Sequence, residues 1–246
     1  MDLTDLQVEL RRIEKQLAFL HDEIETMKPK SEVEKKADFE SIDSLAKRHT
    51  IFREEIDGMS YETKKAFFKS LSFILLAAEK DIYARLLYMT RLCRGCGLDW
   101  KSEDIYKAGF KIKDFDSVVK GMEKNYISFL VEAFITSFIH MPVDEKTLYI
   151  IADIASIIGY SLRELEVIAT VAKCNLVGDM DLLGEILDFG TLVFIKKDGF
   201  RDYIPHEWIA KYEDKQFHSI FGNLFGSSTS DSISDSDSIR IEIRKR

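Results

Sequence analysis

Proline and glycine are scarce, 3 and 12 in 246 residues. Folds built from many short strands and tight turns use more of both, so the shortage points to a mostly helical chain. Cysteine is scarce too. Three thiols make an odd count, and the N-terminus shows no secretory pattern, so the expected setting is the reducing cytoplasm. Long apolar runs are missing. The nearest, Phe67 to Ala78, is interrupted by Lys69 and followed by Glu79-Lys80-Asp81. It falls short of the roughly 18–20 apolar residues that a membrane-spanning helix needs. Positive charge is in deficit as well. A formal net charge of -8 argues against a general nucleic-acid binder, whose phosphate contacts require a cationic face.

Reactive motifs are equally thin. There is no Gly-x-Ser-x-Gly elbow and no Gly-x-x-x-x-Gly-Lys phosphate loop, and the five histidines form no i, i+4 pair. Cys93-Arg94-Gly95-Cys96 has Cys-x-x-Cys spacing, but no second pair completes a zinc site. A redox pair belongs at a helix start, where thiolates are stabilised. This one closes a helix, where the dipole has the wrong sign, so a structural role is expected. These gaps weigh against an enzyme.

What the chain does have is apolar periodicity; 46% of it is hydrophobic, enough for one large domain or a modest core with appendages. Its centre is Phe129 to Gly178, read as three helices joined by tight turns at Met141-Pro142-Val143-Asp144 and at Gly159. Ser161 and Glu164 give the third helix a capping box.

The N-terminus carries a heptad. Leu3, Leu10, Leu17 and Ile24 share one position, and Leu6, Ile13, Leu20 and Met27 the other, the a/d signature of a coiled coil. Left in water, each of these side chains forfeits about 1.5–3 kcal/mol of burial, so the seam requires a partner. That partner is either another copy of the chain or the next helix, folded back as a hairpin. Pro29 ends or kinks the first helix. A second is expected over 31–57, capped by Ser31 with Glu34. Its stripe is Phe39, Ile42, Leu45, Ala46, His49, Phe52 and Ile56, with His49 packed on that stripe, and Gly58 closes it.

From Ser60 onward helices follow in quick order. One runs from Tyr61 to Ala78 with Phe67, Phe68, Leu71, Ile74 and Leu75 inward. The next is capped by Asp81 and lined by Ile82, Leu86, Met89, Leu92 and Cys93, ending at Gly95 or Gly97. Short helices capped by Asp99 or Ser102 and by Asp114 or Asp116 come after it. A shift of 62 residues lays Phe67 on Phe129, Met89 on Ile151, Leu92 on Ile154, Cys93 on Ala155 and Gly97 on Gly159, an internal repeat of three helices.

The residues carrying this pattern are Leu76-Ala77-Ala78-Glu79 with Leu92 to Gly97, and Val143-Asp144-Glu145 with Ile151 to Gly159 and Ser161-Leu162-Arg163-Glu164. Over about residues 60–178 they resemble the tellurite-resistance TerB-like family, a small all-helical domain. The resemblance implies a bacterial stress or membrane-associated defence role and an acidic surface cluster suspected of binding metal. On these positions that cluster would be Glu79, Asp81, Asp144 and Glu145, oxygen ligands suited to calcium or magnesium. Acids at helix starts equally serve as caps and dipole partners. The chain departs from the family where its Asp-Gly turn is replaced by Glu79-Lys80-Asp81, and at Met141-Pro142.

The last seventy residues read differently. Asp179 or Asp181 caps a short helix through Leu187, stopped by Gly190. Thr191 to Ile195 is β-branched and aromatic, Asp198-Gly199 is a hairpin turn signal, and Phe200 to Ile204 would be the returning strand. Pro205 opens a helix with Trp208, Ile209 and Tyr212 on one side. Gly226 to Ser238 is a Ser/Asp tract read as a linker, and Ile239 to Arg244 alternates like a strand. That strand either joins the hairpin as a third or waits for a partner's sheet edge. The terminal cations Arg240, Arg244, Lys245 and Arg246 read as a solvated end.

The expected architecture is therefore mainly α. It comprises coiled-coil helices over 1–58, a TerB-like core over 60–189, a hairpin plus helix over 190–226, and a linker with terminal strand over 227–246. The expected function is a non-enzymatic, oligomerising interaction or scaffold protein. The alternatives are a metal-responsive sensor using the acid cluster and an adaptor using the C-terminal strand.

Overall fold

The computed structural model describes residues 32–77, 82–122, 124–139, 143 and 145–213. The heptad seam from Leu3 to Met27, the 227–246 segment, Ser31, and the acids Glu79, Asp81 and Asp144 lie outside the described residues. So does His140.

The fold is mainly helical, with no strand among the described residues. In chain order the helices are α1 (Glu32–Arg48), α2 (Glu54–Asp57), α3 (Tyr61–Ala77), α4 (Ile82–Gly95), α5 (Ser102–Gly109), α6 (Phe115–Met122), α7 (Tyr126–Phe138), α8 (Glu145–Ile158), α9 (Leu162–Val177), α10 (Asp181–Gly184) and α11 (Phe189–Ile195). A 3₁₀ turn at Asp198–Phe200 and a helical stretch over 206–213 complete it. None of these helices is long and apolar enough to cross a membrane.

The 62-residue shift lays α3, α4 and α5 onto α7, α8 and α9. In each trio the first helix packs most extensively against the third and less against the second. Phe67 and Phe129, equivalent under the shift, meet edge to face with ring centroids 5.8 Å apart. Gly97 and Gly159, also equivalent, both adopt positive φ, 74° and 90°, where a Cβ would crowd the backbone. Each follows a helix, α4 or α8, and turns the chain toward the next.

α7 sits at the middle, and residues from Ile127 to Ser137 along it are all buried. A helix apolar on every side belongs in a core. α9, α8, α3, α4 and the 3₁₀ turn pack on α7, α5 and α6 pack on α3, and α1 lies along α4 and α5. The expected inward residues of α3 (Phe67, Phe68, Leu71, Ile74 and Leu75) and of α4 (Leu86, Met89, Leu92 and Cys93) are buried, and Ile82 at the start of α4 is half-buried. The capping box at Ser161 forms, with Glu164 N–H donating to Ser161 Oγ at 3.2 Å and Glu164 Oε2 accepting from Ser161 N at 2.9 Å.

Several expectations are corrected. The helix over 31–57 is two helices, α1 and α2. Between them residues 49–53 cross the end of α4, where Ile51 N–H donates to Arg91 O at 3.1 Å. The break turns His49 and Phe52 out of the predicted stripe, His49 exposed and Phe52 59% exposed, while Ile56 in α2 is buried as expected. Neither Asp99 nor Ser102 caps α5. Asp43 of α1 accepts from Ser102 N–H at 2.9 Å and Asp104 accepts from Lys101 N–H at 3.2 Å, while Asp99 pairs with Arg94 at 3.5 Å.

The largest correction is the hairpin. Thr191 to Ile195 belongs to α11, and Gly190 lies inside that helix instead of stopping the preceding one. Asp188 starts α11 by accepting from Thr191 N–H at 2.7 Å. Thr191, Leu192, Phe194 and Ile195 face inward while Phe189 and Val193, one turn apart, face out. Packing decides against the β propensity of the run. Gly199 makes no hairpin turn; a Cβ there would lie 2.5 Å from Ile127 Cβ, so the 3₁₀ turn is pressed onto α7.

Candidate functional site

The most concentrated polar chemistry lies inside the fold, around Glu132. This residue sits in the middle of α7 with no exposure. Three donors converge on its carboxylate. Arg53 Nε donates to Oε1 at 3.0 Å, Tyr203 OH to Oε1 at 2.9 Å, and Tyr88 OH to Oε2 at 2.6 Å. The Arg53 guanidinium also lies over the Tyr203 ring, 4.8 Å from its centroid. One helical turn earlier, Ser128 Oγ is 2.5 Å from Glu55 Oε2 and 3.2 Å from the Gly199 carbonyl. Its single proton serves the nearer acceptor. Glu55 N–H in turn donates to Asp202 Oδ2 at 2.9 Å. Burying a carboxylate and a guanidinium costs several kcal/mol per ion, and only good geometry with further hydrogen bonds offsets that. Here those bonds are supplied.

The placement of Arg53 traces back to a glycine. A Cβ on Gly95 would stand 1.9 Å from Ile51 O, so only glycine at the end of α4 lets the 49–53 segment cross closely enough to aim Arg53 at α7. Of the Cys-x-x-Cys pair, Cys96 lines the same crossing. Cys93 Sγ donates to Leu98 O at 3.2 Å, and Cys96 Sγ lies 3.8 Å from Arg53 O. Both thiols are free and buried. Burial pushes Cys93 up to about 12 and Cys96 up to about 11, so neither supplies thiolate at neutral pH.

The same electrostatics set the other protonation states. Burial alone would lower the Arg53 pKa, but the Glu132 carboxylate beside it more than reverses this, and the guanidinium is held above its usual value. Burial, then the negative charge of Glu132, drives the Tyr88 and Tyr203 phenols well above theirs. Glu55 is raised, first by burial and then by Asp202 and Asp198, against the lowering effect of Ser128. Both oxygens of Glu132 are committed to internal donors. The cluster acts as a tie among α7, α4, the entry to α2 and the 198–204 segment.

A second feature lies beside it on the surface. A groove of about 400 Å³ is lined by Ile195, Phe200, Ile204 and Ile209 below and by Lys196, Lys197, Asp198, Arg201, His206 and Glu213 at its rim, with Ala210 between. Lys196 pairs with Glu213, and Lys197 lies 3.9 Å from Glu164 and over the Phe194 ring.

Of the predicted metal ligands, Glu145 is the one among the described residues. It is the exposed first residue of α8. Among the described residues no group of three or more His, Cys, Asp and Glu side chains stands close enough to hold an ion. The Glu132 cluster was missed by reading for motifs. Its signal was the lone acid in Phe129-Leu130-Val131-Glu132-Ala133-Phe134-Ile135, because a charge on an all-apolar helix must be buried and paired. Comparison of the chain with family models, with curated proteins and with solved structures gives no match.

Proposed function

We propose that the chain is a non-enzymatic interaction protein that self-associates through its N-terminal heptad seam and presents its helical body as a scaffold. One observation carries this reading. The helix expected to receive the seam in a hairpin, α1, already spends its apolar face on the body. It packs along α4 and α5, with Ile42 and Ala46 buried and Phe39 against the Tyr106 ring at 5.7 Å. The eight apolar residues from Leu3 to Met27 therefore call for a partner from another chain. The chemistry of the Glu132 cluster supports the same view, since its ionisable groups are spent on one another. The TerB-like resemblance supplies a setting, a bacterial stress or defence system. Residues 191–204 form no strand, so the adaptor alternative rests on the C-terminal segment alone, which lies outside the described residues.

Light scattering on the full chain and on the Leu10→Glu/Leu17→Glu variant tests the reading. The full chain is expected above monomer mass and the variant at monomer mass with unchanged helicity. A monomeric full chain at micromolar concentration would refute self-association. A 32–246 truncation is the matching control; a start at 60 would remove Ile42, Arg53 and Ile56 from the core.

A further inference from the structure

We infer that the groove between α11 and the 206–213 helix is the docking site for this chain's own Ser/Asp tract, residues 227–238. The groove has an apolar floor of Ile195, Phe200, Ile204 and Ile209 and a rim bearing Lys196, Lys197, Arg201 and His206. Its opposing charges are Asp198 and Glu213 in the rim and Glu164 beside Lys197. Glu213 is engaged by Lys196, and Arg201 has no ion-pair partner among the described residues. Lys196, Lys197 and Arg201 place three cations within six residues over the apolar floor.

The tract has the complementary chemistry. Asp231, Ile233, Asp235 and Asp237 alternate with serines, so in an extended conformation all four side chains share one face, about 6.6–6.8 Å from one to the next. One isoleucine between aspartates suits an apolar floor between cations. Geometry allows the return. The described chain ends at residue 213, inside the groove's own wall, and the 18 residues from there to Asp231 provide contour of up to roughly 3.3–3.6 Å each, enough to bring the tract back to the groove. Because the tract is joined covalently to the groove's own wall, its docking is intramolecular and a weak site suffices for occupancy. The tract thereby competes with any outside acidic segment for the same groove.

The test uses the full chain. Cys93, Cys96 and Cys174 are buried, so a nitroxide placed on Ser234→Cys labels that position selectively. Amide signals of Lys197, Arg201 and His206 are expected to lose intensity several-fold relative to α3. Recovery is expected at 0.5–1 M salt, where screening is short-ranged, and in Lys197→Asp/Arg201→Asp. Adding Asp235→Lys/Asp237→Lys to that variant should restore the loss. Unaffected groove amides, or broadening centred elsewhere, would overturn the proposal. So would broadening seen only when labelled and isotope-enriched chains are mixed, because the tail would then come from a second copy.

Discussion

The two helix trios follow one packing plan and diverge at the first helix of each. Shifted by 62, Ser128 and Glu132 of α7 fall on Ala66 and Ser70 of α3. All of these but Ala66 are fully buried, yet only α7 carries a charge there. α3 closes against α6 with small side chains. A Cβ on Gly121 would lie 2.8 Å from Ala66 Cβ, so the fit leaves no room for a polar network. α7 instead opens onto the flanks and gathers Arg53, Tyr88 and Tyr203 onto one carboxylate. Repeated helix packing builds a body, and one added charge with matched donors fixes the segments before and after it.

The largest effect expected from breaking this contrast is at the charge. Glu132→Ala leaves Arg53 buried without its partner and should cost about 3–5 kcal/mol in urea unfolding, whereas Ser70→Ala should cost under about 1 kcal/mol. Replacing the whole set with apolar residues of matched volume should recover much of the loss. Next comes the crossing that places Arg53. Gly95→Ala drives a methyl into the Ile51 carbonyl, where backbone must move, and should cost about 1–3 kcal/mol. Gly159→Ala meets no atom within 4 Å and should cost about 1–2 kcal/mol from its positive φ alone.

The pH dependence sharpens the comparison further. Tyr88 and Tyr203 are raised in the folded state, so their contribution is complete below the ordinary tyrosine range near pH 10 and is lost as pH rises through their folded values. Stability should fall above about pH 10 by up to about 1.4 kcal/mol per pH unit for each phenol. Cys93 and Cys96, raised from 9.0, begin the decline near pH 9. Urea midpoints of Tyr88→Phe/Tyr203→Phe between pH 9 and 11 should show a shallower decline than the parent. The smallest effect is at Glu55. Its raised pKa means its favourable contribution is present below about pH 4.5 and declines as pH rises through the folded value. Glu55→Gln should flatten that part of the stability profile, measured between pH 4 and 7.

Much of the body was readable from period and caps, because those signals are local. The stripes of α3 and α4, the box at Ser161 and the stops at Gly97 and Gly159 all lie within one turn of the feature they control. What was not readable came from far along the chain. Asp43 caps α5 across 59 positions, and Gly95 matters because Ile51 passes over it. The 191–195 run departs from its local propensity for a related reason. Its β-branched residues suit a strand, but the cap at Asp188 and the inward positions of Thr191, Leu192 and Ile195 match a helix seated on the core. Glu132 was readable, as a charge where no charge should be tolerated, but its three donors come from three separate parts of the sequence.

The most direct measurement is a double-mutant cycle pairing Glu132→Gln with Tyr203→Phe by equilibrium urea unfolding. A coupling of about 1–3 kcal/mol between α7 and the C-terminal segment is expected. Losses that add to within about 0.5 kcal/mol would contradict it, because Glu132 would then not be what holds that segment to the body.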